Sequence, residues 1–295
     1  MPRPPLWLKR LLLPAWNGGH HLAWKVGEVA GSIGQRRWGR CEVCGTLALY
    51  LHRPRAIPAE LRRRWGLTTR VATAVVHKET DDCSHCGAKL RARRLARVLL
   101  DLYPTDVRPA RSMADWVETA AARSLRVAEF NRVEGLHEIL ARLPRFEASD
   151  YRDGAEPGSV IDGVRSEDLT RLTYPDGAFD LVLTSETLEH VPDLEAALRE
   201  IRRVLAPGGR HVFTVPLLPG VPLTFARARL EPDGTKVDLA PPICHPGGDV
   251  GYPVFTEFGA DFPDLVRRAG FEVEVRFGPT TEDDVAQVYV ARRVG

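Results

Sequence analysis

The chain has 295 residues, 44% of them hydrophobic, enough for a sizeable buried core in one large domain or two smaller ones. No apolar run reaches the roughly 18 residues a membrane span needs, so a transmembrane segment is not expected. The net charge of +2 conceals an asymmetry: residues 1–112 carry 21 Lys and Arg against 8 Asp and Glu, a balance of +13, and the remainder balances at −11.

Residues 1–40 read as an irregular arm rich in Trp, Gly and Arg. Its start, MPRPPLWLKRLLLPAW, is a short apolar patch interrupted by Lys9 and Arg10, with no small-residue cleavage site behind it. That pattern favours burial against the folded part over a secretory signal.

Residues 41–112 hold CEVCG and CSHCG, two C-x-x-C turns each closed by a glycine. Cys41, Cys44, Cys83 and Cys86 supply four thiolates, the donor set of a closed, structural Zn2+ site with no open coordination position. Two unrelated pairs without metal are the alternative. The pairs are separated by 38 residues, longer than usual for such modules, which reads as an inserted Arg-rich hairpin or loop. His52, His77 and His85 are spare ligands by residue type. With a fifth cysteine, Cys244, and nothing that suggests an oxidising environment, metal binding in a reducing cytoplasm is expected over disulfides. The helix AKLRARRLARVLLDLY then carries an apolar face (Leu90, Leu95, Val98, Leu99, Leu102) and a basic one (Arg91, Arg93, Arg94, Arg97). The basic excess suits an anionic partner, or docking on the acidic remainder.

Residues 113–295 alternate strand-like and helix-like segments, the pattern of a parallel sheet covered by helices. A helix is expected near 112–123, a strand at LRVAEF, a helix near 134–142 and a strand at RFEASD ending at Asp150. After the loop RDGAEPG come a short strand in SVIDGVR and a strand FDLVLTS over 179–185. The helix DLEAALREIRRVL starts at the N-cap Asp193, repeats Leu194, Ala197, Leu198, Ile201 and Leu205 at helical spacing, and stops at APGG. The strand RHVFTVP follows, then an irregular stretch over 217–255, a helix near 258–269 and two strands, FEVEVRF and DVAQVYVARR.

The segment SEDLTRLTYPDGAFDLVLTSETLEHVPDLEAALREIRRVLAPGGRHVFTVP resembles the second half of a class I S-adenosylmethionine-dependent methyltransferase of the type 11 kind. FTEFGADFPDLVRRAGFEVEV is similar to the end of such domains, and the cysteine pairs resemble a subgroup with an N-terminal zinc module. The resemblance implies a Rossmann-like, seven-stranded sheet with helices on both faces. It also implies S-adenosylmethionine as methyl donor, held at the C-terminal ends of the strands. The usual first loop is an acidic residue followed by alternating glycines. Here Glu129 takes the acidic position, while Asn131 to Gly135 form a donor loop with most glycines replaced. A pyrophosphate would need bare N–H groups there, so a nucleotide cofactor is disfavoured. Asp150, 21 residues after Glu129, is the expected ribose acid, with its neighbour Ser149 as the fallback. The adenine maps to Asp168 with the Leu169 amide, Glu167 being the adjacent alternative and a turn cap the competing role of Asp168. Thr184, Ser185 and Glu186 line the methionine half, whereas Asp180 starts its strand in a structural role.

For the acceptor, His245 in the Gly/Pro-rich stretch PPICHPGGDVGYP is the preferred general base; a solvent-facing loop histidine is its other reading. His190 is a second catalytic candidate or a backbone-orienting residue, and Asp249 a third acceptor-side group. The expected reaction is methylation of a small-molecule or glycan acceptor, most simply at a hydroxyl. RNA methylation through the basic zinc module, and a non-catalytic scaffold of the same fold, are the alternatives.

Overall fold

The apolar segments condense around two centres. A computed structural model describes residue 32 and residues 37–52, 59–64, 66–105, 109–217, 221–245, 251–278 and 285–295. The first unit takes the chain up to Arg123 together with Val133–Leu143 and Gly278–Ala286; the second takes Ser124–Arg132, Pro144–Phe277 and Gln287–Gly295. Asp249 and nearly all of the arm before residue 37 lie outside the described residues.

In the first unit, strands β1 (Trp38–Arg40), β2 (Leu47–Leu51) and β3 (Asp82–Cys83) form an antiparallel sheet in that order. The 38 residues between the cysteine pairs are not a simple hairpin or loop. They hold β2, helix α1 (Ala59–Arg64) and helix α2 (Thr69–Thr80), whose N-cap Thr68 accepts from the Val71 N–H. Helix α3 (Leu90–Leu102) follows, with Leu95, Ala96 and Leu99 fully buried. The helix expected over 112–123 is two short pieces, α4 (Met113–Trp116) and α5 (Ala120–Ser124). The one expected over 134–142 shrinks to α6 (His137–Leu140).

Two of the four arginines on the basic face of α3 are turned inward. Arg91 is 7% exposed and pairs with Glu79 and Glu134; Arg93 is 6% exposed and lies 3.6 Å over the Tyr50 ring. Those charges are used within the unit, so the expectation of an RNA partner on this helix finds no support.

The second unit is built on one sheet. Its strands are β4 (Val127–Phe130), β5 (Phe146–Asp150), β6 (Val160–Ile161), β7 (Val164–Ser166), β8 (Phe179–Ser185) and β9 (Leu205–Thr214). Small hairpin strands follow: β10 (Phe225–Ala226), β11 (Ala228–Leu230), β12 (Lys236–Asp238), β13 (Cys244–His245), β14 (Tyr252–Pro253) and β15 (Thr256–Glu257). The stretch expected to be irregular therefore holds five short strands among its described residues. The last two, β16 (Phe271–Arg276) and β17 (Val288–Arg293), rejoin the main sheet in the order β16-β17-β9-β8-β4-β5-β7-β6. From β7 to β9 every pair is parallel, while β17 runs antiparallel to both its neighbours. The sheet has eight strands rather than the seven expected, because SVIDGVR turns back on itself as the β6–β7 hairpin, with Asp162 at φ 52° in its turn.

Helices α7 (Leu194–Val204) and α8 (Phe262–Arg268) share one core with Ala128, Phe130, Val182, Phe213 and Tyr289. Leu181, Leu183 and Val212, which alternate with those core positions along β8 and β9, are fully buried as well. A strand buried on both faces carries the near-continuous apolar run seen in FDLVL. The Asp193 carboxylate caps α7 by accepting from the Ala196 N–H at 2.9 Å. At the other end the Arg293 guanidinium donates to the carbonyls of Arg202 and Arg203, so α7 ends at Val204 and β9 begins at once, with APGG inside it and a register shift opposite Phe179/Leu181. Arg126 ties the starts of β4 and β8, its backbone N–H and guanidinium both donating to Asp180. Those bonds outweigh burial and hold the Asp180 carboxyl below its ordinary range, in keeping with a structural role.

Candidate active site and metal centre

The two cysteine turns are built alike. Gly45 donates to the Cys41 carbonyl at 2.8 Å and Gly87 to the Cys83 carbonyl at 2.9 Å, with φ of 75° and 79° that a side chain would resist. Cys41 Sγ then lies 3.8 Å from Cys86 Sγ, and Cys44 Sγ 3.9 Å from Cys83 Sγ, all four atoms falling within 4.8 Å of one another. A tetrahedral ion with metal–sulfur bonds of about 2.3 Å separates its sulfurs by about 3.8 Å, so the donor set fits Zn2+. Hydrogen bonding among the four is uneven. Contact with Cys41 pulls the Cys44 thiol down and brings Cys83 to about 7, while contacts with Cys44 and Cys41 push Cys41 and Cys86 up, respectively. His52 and His77 are hydrogen-bonded to the buried Asp81 and not to the sulfurs. Burial raises the Asp81 carboxyl, but bonds from His52, His77 and nearby Arg37 win and bring it to about 2.

In the second unit the strand order β7-β5-β4-β8-β9 reverses direction of winding between β4 and β8, the crevice where open α/β sheets bind ligands. Among the described residues three non-glycines have positive φ; apart from hairpin residue Asp162, they are Asn131 at 62° and Glu186 at 50°. Each follows immediately on the last residue of one of the two strands that flank this crevice. Asn tolerates the left-handed region through local hydrogen bonding, and Asn131 Oδ1 accepts from the Tyr151 N–H at 3.4 Å. Glu has no such allowance, and strain of this kind gathers at functional sites.

Around the crevice, Glu129 is fully buried in β4. Asp150 ends β5, its carboxylate 3.7 Å from Arg132 Nε. A cleft beyond β5 and β7 is lined by Tyr151, Gly154, Glu167, Asp168 and Arg171. Glu167 is engaged within the fold, accepting from Arg165 Nε at 2.7 Å and the Thr173 N–H at 3.0 Å. Asp168 Oδ1 caps the turn by accepting from the Thr170 N–H at 2.9 Å, and its Oδ2 accepts from the exposed Arg171. The turn so formed presents the Leu169 N–H, which meets no acceptor among the described residues. Thr184 is fully buried with its hydroxyl 2.9 Å from His211 Nε2, so it belongs to the sheet interior; Ser185 Oγ lies 2.9 Å from Thr214 Oγ1. Gly135 falls in the first unit: a Cβ there would meet the Ala88 N at 2.8 Å, and this close approach to the second cysteine turn accounts for the glycine.

Residues 144–213, a stretch running from the approach to β5 to the end of β9, match the methyltransferase domain family. The chain carries a class I methyltransferase domain. Norajmaline N-methyltransferase from Rauvolfia serpentina is 46% identical over 70 residues, covering 24% of this chain and 21% of its own length. The 27-O-demethylrifamycin SV methyltransferase of Amycolatopsis mediterranei is 34% identical over 138 residues, covering 46% and 43%. The matches thus span less than half the length of these relatives. A solved structure of 1,6-didemethyltoxoflavin-N1-methyltransferase from Burkholderia thailandensis is 20% identical with a TM-score of 0.38, covering 62% of this chain and 77% of its own.

Beyond the end of β8 comes the one-turn helix Leu188–His190. His190 Nδ1 lies 2.8 Å from the Pro253 carbonyl oxygen on β14, and its Nε2 3.5 Å from Glu189 Oε1. His245, on β13, places Nδ1 3.5 Å from the same oxygen. The two catalytic candidates are therefore neighbours, their rings 5.0 Å apart, gathered on Glu189, an acid of the LEHV motif with no role assigned from sequence. The signal was present as an acid beside a histidine in LEHV, but its complete burial is a tertiary fact. Tyr151 was also missed, an aromatic directly after Asp150 that is 61% exposed at the cleft. No helix among the described residues is long and apolar enough to cross a membrane.

Proposed function

We propose that this chain transfers the methyl group of S-adenosylmethionine to a small-molecule or glycan hydroxyl, and that its four clustered cysteines hold a structural zinc ion. The observation that carries the first part is the pair of left-handed residues, Asn131 and Glu186, ending the two strands at the crevice. The donor supplies an activated methyl on a sulfonium, and the chain's residues bind and orient it. The Asp150 carboxylate accepts from the ribose hydroxyls; Tyr151 gives the adenine a face to stack on and the Leu169 N–H a hydrogen bond. Glu129, Asn131, Ser185 and Glu186 line the amino-acid end. Because the transfer is an in-line displacement, holding the acceptor oxygen on the sulfur–methyl axis supplies much of the rate. His190, His245 and Glu189 handle the acceptor side. Small-molecule acceptors appear in the names of norajmaline N-methyltransferase and the rifamycin methyltransferase, which supports that class here.

Calorimetry tests the reading. The chain should bind one S-adenosylmethionine, and Asp150→Ala should weaken binding at least about tenfold, since a hydrogen bond to a charged group contributes about 1.5–3 kcal/mol. A folded chain that binds no donor at millimolar concentration would overturn it. For zinc, elemental analysis should find the metal in the wild type and lose it in Cys44→Ser. A folded, zinc-free wild type contradicts the assignment.

A further inference from the structure

The Glu189 carboxylate poses a problem that the donor site does not solve. Its side chain is fully buried, and among the described residues neither Oε1 nor Oε2 has a hydrogen-bond partner. A buried carboxylate left this way is strongly disfavoured. The two groups nearest Oε1 are His190 Nε2 and His245 Nδ1, both at 3.5 Å, too far for a charge-assisted hydrogen bond of about 2.7–2.9 Å. His190 is also fixed in its tautomer. With Nδ1–H donating to the Pro253 carbonyl at 2.8 Å, a neutral ring turns the lone pair of Nε2 toward the carboxylate, acceptor facing acceptor.

A cation removes all three difficulties. Ligand atoms bound at about 2.1 Å to a tetrahedral ion stand about 3.4 Å apart, close to both measured separations, and the three ligand atoms lie within 4.8 Å of one another. A ligating histidine ordinarily donates its other N–H to a backbone carbonyl or carboxylate, which is what His190 does. We propose that Glu189, His190 and His245 form a divalent transition-metal site, suited to Zn2+ and separate from the four-cysteine cluster. Two imidazoles and one carboxylate are the ligand set of open zinc sites, whereas four thiolates make a closed one. Three protein ligands leave a position for an oxygen ligand. On the reading of the chain as a methyltransferase, and resting on it, that position takes the acceptor's hydroxyl and makes this site the one that selects and orients an oxygen nucleophile.

The test is a titration of ZnCl2 into the 295-residue chain with its cysteine site already loaded, followed by calorimetry. One further equivalent should bind. His245→Ala, on the partly exposed hairpin, and Glu189→Gln, which keeps the shape of the buried side chain, should each weaken that event at least tenfold while leaving the cysteine-bound zinc in place by elemental analysis. No further equivalent in the wild type, or equal affinity in wild type and His245→Ala, overturns the site. S-adenosylmethionine binding, measured on the same samples, separates the claims: donor binding without a second metal removes this site alone, and a second metal without donor binding removes the methyltransferase reading alone.

Discussion

Single residues carry most of the functional argument, and their backbone angles do so as much as their side chains. Asn131 follows β4 with a φ of 62°, a left-handed angle that a glycine would adopt without strain. Asn131→Gly should therefore leave stability within about 0.5 kcal/mol, whereas Asn131→Ala should cost about 1–2 kcal/mol in urea unfolding, the left-handed penalty of a residue with a Cβ and no local hydrogen bond. His211 offers a pH signature. It is fully buried against Phe213, and burial pulls its imidazole down to about 3 from 6.5. The unfolded chain takes up a proton below about pH 6.5 that the folded chain refuses. The stabilising contribution is therefore complete above pH 6.5 and is lost progressively as pH falls toward 3, by at most on the order of 5 kcal/mol. His211→Gln should flatten the stability profile over that window in urea titrations; an unchanged slope would show that other groups set it.

At the scale of elements, the sequence was legible wherever one periodicity ran long enough. FDLVLTS and DLEAALREIRRVL fold as read, since an uninterrupted apolar strand and an amphipathic helix with an N-cap each leave one local solution. What was not legible depended on partners far along the chain. APGG reads as a helix stop, yet β9 starts at Leu205 because it continues along β8. The stretch around His245 looked irregular because its strands are two or three residues long, too short for any period to register. The candidate site divides the same way. Asp150 was proposed from its spacing after Glu129 and Asp168 from the family resemblance, whereas the approach of His245 on β13 to Glu189 is a contact that no local pattern encodes. Gly135 has a packing cause besides, since a Cβ there would meet the Ala88 backbone at the second cysteine turn. Gly135→Ala combines that clash with a φ of 76° and should destabilise the first unit by about 1–3 kcal/mol, seen as a lower melting temperature, with a retained melting temperature as the contrary result.

For the whole molecule, the chain joins two units with different sources of stability. The second rests on a sheet buried on both faces, with Phe213, Phe258, Phe262 and Tyr289 at the centre of its aromatic contacts. Phe262→Ala should cost about 3–5 kcal/mol in unfolding free energy. The first unit has a three-stranded sheet of only three, five and two residues, and its cysteine turns are held by metal in the account given above. Chelation should accordingly lower the melting temperature and remove part of the helical circular dichroism; identical melting with and without chelator would argue against a structural ion. The charge asymmetry between the N-terminal third and the rest has a structural origin in part, with Arg91 and Arg93 buried against acids and a ring of their own unit. The central claim concerns the crevice between β4 and β8, and the most direct measurement is a crystal of the full chain soaked with S-adenosylhomocysteine. The account predicts density there, with the ribose on Asp150, the adenine beside Tyr151 and Leu169, and the amino-acid end near Asn131 and Glu186. Density elsewhere on the protein, or an empty crevice at saturating ligand, would contradict it.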